Sequence, residues 1–101
     1  MKTTGNYQFV PAYYEWHLTD KNGNILHCMA DPYDEMFQEN GDALTLAEVV
    51  EMCEHDLIWA DGLYCEGEEY NGVFIEGGFT PKEIAKFSDI MATALYNYYI
   101  A

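Results

Sequence analysis

The sequence predicts an α+β domain, an antiparallel sheet made of two β-hairpins with helices packed on one face, in the order ββ-α-α-ββ-α. Two observations carry this reading. Asn22-Gly23 and Asn71-Gly72 are tight-turn dipeptides set between aromatic and β-branched runs, the strongest short-range hairpin signal. Thr45-x-x-Glu48 and Thr80-x-x-Glu83 fit the capping box and each precedes apolar residues at helical spacing, as expected where a helix begins. An antiparallel sheet covered on one face buries both apolar stripes.

The chain of 101 residues suits a single domain, 1–101, with one modest core. No repeat or linker interrupts it. Half the residues are apolar and 16% aromatic, more than a disordered acidic tail carries. The negative charge therefore decorates a folding chain.

In order, YYEWHLTD and ILHCMA flank Asn22-Gly23, and the hairpin register sets His17 opposite Cys28 and Trp16 opposite Met29. Asp31 is placed to cap a short helix with Pro32 first and Asp34 and Glu35 in its first turn, ending at Asn40-Gly41. The next helix puts Leu46, Val49, Val50, Cys53, Leu57 and Ala60 on one face, and Glu48, Glu51, Glu54 and His55 on the other. Residues 63–76 return to strand composition, with Val73-Phe74-Ile75 the clearest strand. The last helix carries the stripe Ile84, Phe87, Met91, Ala94, Leu95 and Tyr98.

No stretch reaches the roughly 18 apolar residues of a membrane span, and the N-terminus has no apolar core of a secretory signal. Cys28, Cys53 and Cys65 form an odd set, read on this basis as reduced thiols of a cytoplasmic protein.

Catalytic patterns are weak, and no enzyme is expected. Cys53 and His55 lie about 200° apart on a helix, too far round for a nucleophile and its base. Ser88, the only serine, falls in the apolar stripe as a packing residue. The three Cys and three His lack short paired spacings such as C-x-x-C, so no metal and no cofactor are expected. His17 and Cys28 supply two ligands at most. Asp20-Lys21-Asn22-Gly23-Asn24 begins like a calcium loop, but Ile25 stands where Gly is required and Asp31 where Glu is required. A hairpin turn fits better.

Charge is the most informative property. The net charge is -14. Residues 22–81 hold fourteen acids and neither Lys nor Arg, while the four acids outside that window cancel the four lysines. The absence of Arg removes the usual residue of phosphate recognition, which argues against direct nucleic-acid binding. A surface tuned for solubility mixes both signs, because one-signed crowding repels itself. An unmixed field steers a basic partner instead.

Basic, concave surfaces belong chiefly to proteins that hold nucleic acid. Carboxylates three residues apart on a helix step by about 4.5 Å, loosely comparable with the roughly 3.4 Å axial phosphate spacing of one DNA strand. The expected function is therefore that of an acidic inhibitor occupying the nucleic-acid site of a nuclease, a CRISPR effector or a similar DNA- or RNA-handling protein, in the manner of anti-CRISPR, anti-restriction or nuclease-immunity proteins. The expected contacts are Glu48, Glu51, Glu54, Asp56, Asp61, Glu66, Glu68, Glu69 and Tyr70. The competing expectations are an adaptor or immunity module that fits its partner by shape, and a small metal-binding domain. Tyr96, Tyr98 and Tyr99 exceed what one helical face buries, so they pack on the sheet or form a homodimer surface.

Overall fold

The computed structural model describes residues 6–58, 64–65, 68–69 and 79–101. Its α+β architecture comprises β1 (Gln8–Pro11), β2 (Glu15–Thr19), β3 (Ile25–Ala30), a 3-10 turn (Tyr33–Met36), α1 (Leu46–Ile58), β4 (Tyr64–Cys65), β5 (Glu68–Glu69) and α2 (Pro81–Tyr99). The expected order is corrected in two places: a third strand precedes the first hairpin, and the helix after Asp31 is a single 3-10 turn. The strands also form two sheets, β1-β2-β3 and β4-β5, where one sheet was expected.

The central hairpin has the register read from the sequence, with His17 opposite Cys28 and Trp16 opposite Met29. Its turn is built by Asp20. The carboxylate accepts from the Asn22 and Asn24 backbone N–H groups at 2.9 Å each and from the Asn24 amide at 3.0 Å. Those bonds stabilise the ionised form and hold the Asp20 pKa below its ordinary value. Gly23 sits at φ 86°, a backbone region that glycine enters at no steric cost. The calcium-like string is thus a self-bonded turn, followed by a bulge where Thr19 pairs with Ile25.

Alternation decides the two faces of this sheet. Trp16, Leu18, His27 and Met29 are buried toward the helices, while Glu15, His17 and Cys28 share the opposite face. The core is completed by Phe9, Met36, Val49, Cys53 and Leu57 and by Phe87, Ile90, Met91, Ala92 and Leu95. On α2, buried positions 87, 88, 90, 91, 92 and 95 span an arc of about 200° at 100° per residue. The arc is wide because α2 packs against both α1 and β1. Ser88 is buried within it and donates to the Ala85 carbonyl at 3.3 Å, the packing role expected of it.

Asp31 does not cap a helix. Its Oδ1 accepts from Trp16 Nε1 at 3.1 Å and from the Tyr99 hydroxyl at 2.6 Å, so a tertiary use competes with the local one. Both capping boxes form: Thr45 and Glu48 exchange bonds at the start of α1, and Thr80 and Glu83 do so at the start of α2. Leu46, expected on the buried face of α1, is exposed, as befits a first-turn residue beyond the edge of the core. Tyr98, expected in the α2 stripe, is 61% exposed, although its ring meets Trp16 edge-on at 5.1 Å. Ala60, Asn71-Gly72 and Val73-Phe74-Ile75 lie outside the described residues.

The expectation of three reduced cysteines is also corrected. Cys28 is disulfide-bonded, whereas Cys53 is free and buried. Among the described residues, no helix is long and apolar enough to cross a membrane.

Candidate functional site

Four of the fourteen acids in residues 22–81 lie on α1: Glu48, Glu51, Glu54 and Asp56. Glu48 and Glu51 are exposed and, three residues apart, lie on one helical face. With Met52, His55 and Asp56 they form one wall of an open groove of about 700 Å³. The other wall comes from the end of β3 and the 3-10 turn, through Met29, Ala30, Pro32 and Glu35. Four carboxylates, Glu35, Glu48, Glu51 and Asp56, thus line one trough together with the apolar Met29, Pro32 and Met52, and no lysine is found among its described lining residues.

The trough departs from the expected contact set in composition. Glu54 is half-buried and is not among its lining residues, because helical phase carries position 54 round toward Val50 and Leu57. Glu35 belongs to the trough but comes from a different element, so no periodicity along α1 signals it. Asp61, Glu66 and Tyr70 lie outside the described residues, and Glu68 and Glu69 are described only as the strand β5, which pairs with β4.

Asp56 has two relations. Its Oδ2 lies 2.6 Å from His27 Nε2, so this one carboxylate is anchored to the sheet while its half-exposed side chain still borders the trough. His27 is 5% exposed and its ring meets Phe79 edge-on at 5.7 Å. The signal for it was present in the sequence: period-2 alternation places His27 with Met29 on the core face, where a polar ring requires a partner.

Glu48 combines two tasks as well. Its carboxylate accepts from the Thr45 backbone N–H at 2.8 Å, which closes the capping box and fixes the side chain at the mouth of the trough. A carboxylate in the first turn is further favoured by the positive end of the helix.

Cys53, on the same helix, is free and buried. Burial, reinforced by the negative charges of Asp56 and Glu54, pushes its thiol up to about 12, which leaves almost no thiolate at neutral pH. Cys53 points into the core while His55 is exposed and lines the trough, the angular separation expected from helical phase.

A second cluster lies on the outer face of the hairpin. Glu15, His17 and Cys28 each bring one metal-ligating atom within 4.8 Å of the others, and among the described residues they form the one such group of three. The Glu15 carboxylate and His17 Nε2 are 2.7 Å apart, with side chains only 14% and 17% exposed respectively.

No protein-family model, curated protein or solved structure matches this chain.

Proposed function

We propose that this protein is an acidic inhibitor that occupies the basic nucleic-acid site of a DNA- or RNA-handling protein such as a nuclease or CRISPR effector. The observation that carries the reading is the trough itself, which Glu35, Glu48, Glu51 and Asp56 line without a lysine among the described lining residues. Carboxylates gathered round one groove repel one another, and a cationic partner relieves that cost. The apolar lining of Met29, Pro32 and Met52 suits the aliphatic stems of Lys or Arg, whose charged heads then reach the rim. A net charge of -14 extends the attraction beyond contact and speeds association at low salt.

The experiment is a binding measurement with the captured basic partner. Complex formation should weaken steeply between low salt and about 0.5 M salt, and added DNA or RNA should displace the protein. Glu48→Gln combined with Glu51→Gln should slow association while leaving the fold intact, since Gln also serves in a capping box. On-rates unchanged by these substitutions would reject the trough as the contact. A partner indifferent to nucleic acid would favour recognition by shape, a reading supported by the exposure of Tyr13 and Tyr14, at 81% and 78%, since tyrosine is a common interface anchor.

A further inference from the structure

We propose that Glu15, His17 and Cys28 form a binding site for zinc-class divalent metal ions once the Cys28 disulfide is reduced. The site is independent of the acidic trough and of the inhibitor reading.

Backbone geometry alone brings these residues together. Glu15 and His17 are two apart on β2, and Cys28 is the cross-strand partner of His17 on β3, so all three project from one face of a paired hairpin. Carboxylate, imidazole and thiolate are the three donor types that zinc accepts, at bond lengths of about 2.0–2.3 Å. Donor atoms around a tetrahedral ion of that size stand roughly 3.3–3.8 Å apart. The observed cluster, within 4.8 Å, needs only side-chain adjustment to reach this spacing. The strands supply a rigid frame, and the low exposure of Glu15 and His17 shields the site from bulk water. Glu15 and His17, each partly buried, lie hydrogen-bonded to one another beside the sulfur of Cys28.

Redox state selects between two forms of the same site. A disulfide sulfur is not a thiolate, and the thiolate is the metal ligand. A dithiol reductant, or a trialkylphosphine with water, transfers two electrons to the Cys28 disulfide. The S–S bond breaks, two protons bind, two thiols form, and the reductant leaves as its disulfide or phosphine oxide. Metal entry then displaces the Cys28 thiol proton. It also requires His17 to coordinate through a deprotonated Nε2, with the ring proton on Nδ1. The hydrogen bond between Glu15 and His17 gives way to two bonds to the ion. These residues fill three positions of a tetrahedron and leave the fourth to water or another donor.

Cobalt(II) is the probe, titrated into the full chain with and without a non-chelating phosphine. The expected result is one cobalt per chain with a sulfur-to-cobalt charge-transfer band in the reduced protein only, bleached by stoichiometric zinc. His17→Gln and Glu15→Gln should each weaken binding at least about tenfold, a loss that even outer-shell changes at metal sites can cause. Cys28→Ser should abolish the band, and Cys53→Ala should leave it intact. Absence of the band, equal uptake by the oxidised protein, or a band insensitive to His17→Gln overturns the proposal. Where reduction by itself unfolds the chain, stoichiometric zinc should restore the far-UV circular dichroism, and failure to do so overturns it equally.

Discussion

His27 Nε2 and Asp56 Oδ2 are 2.6 Å apart, and this contact ties β3, in the sheet, to α1, which carries the acidic trough. It joins a buried ring to a half-exposed carboxylate across 29 positions of sequence. The trough is held in shape by the same bond, since one wall of it is β3 and the other α1.

Removing the carboxylate leaves the imidazole buried without this partner. Asp56→Ala should therefore destabilise the fold by about 1–3 kcal/mol, while Asp56→Asn, which can still accept a hydrogen bond, should lose less. Urea denaturation of Asp56→Asn, of His27→Gln and of the double variant measures the coupling. Additive losses at the two positions would show that the contact contributes nothing.

Asp31 organises the other side of the core by accepting from Trp16 and Tyr99 together. Burial, and then the bond to the Asp31 carboxylate, push the Tyr99 hydroxyl up to about 12 from its ordinary 10.0. The folded state thus favours the neutral phenol. Its contribution is fully present below pH 10 and is lost as pH rises toward about 12. Stability of the wild type relative to Tyr99→Phe should be constant at neutral pH and shrink across that interval. A difference independent of pH would show that the hydroxyl is not held by Asp31.

The same sign applies to Cys53, whose thiol is raised from 9.0 to about 12. Its stabilising contribution is intact below pH 9 and falls as pH approaches about 12. Alkylation mapped by mass spectrometry should leave Cys53 unmodified in the native protein at neutral pH and label it readily in denaturant. Rapid native labelling would place the thiol at the surface.

Tyr14 adopts φ 64° in the turn between β1 and β2, where the Ala12 backbone N–H donates to the Glu15 carbonyl at 2.7 Å. A side chain in that backbone region is strained by roughly 1–2 kcal/mol. Tyr14→Gly removes the strain but loosens the unfolded chain, so its stability should lie within about 1 kcal/mol of wild type. The β-branched Tyr14→Val should destabilise by more than that. Thermal denaturation of the two variants side by side gives the comparison.

Local signals in the sequence were strong wherever one element satisfied itself. The Asn22-Gly23 turn, the facing of His17 and Cys28, and both capping boxes depend on residues a few positions apart or on a single tight turn, so their spacing determined them. The same holds for the angular separation of Cys53 and His55, which follows from helical phase alone. The sequence also determined that negative charge is concentrated and unmixed, because charge is a property of composition.

Tertiary structure decided the rest, wherever a residue had a distant competitor for its local role. Asp31 reads as a helix cap, yet Trp16 and Tyr99, 15 and 68 positions away, use its carboxylate, and the expected helix is reduced to one 3-10 turn. Glu35 lines the same trough as Glu48 and Glu51 only through the tertiary fold, being on a different element from them. His27 meets Asp56, 29 positions away, only because β3 and α1 come together in the folded chain. Periodicity records what lies on one element; contacts between elements depend on how those elements pack, and that is a property of the folded chain.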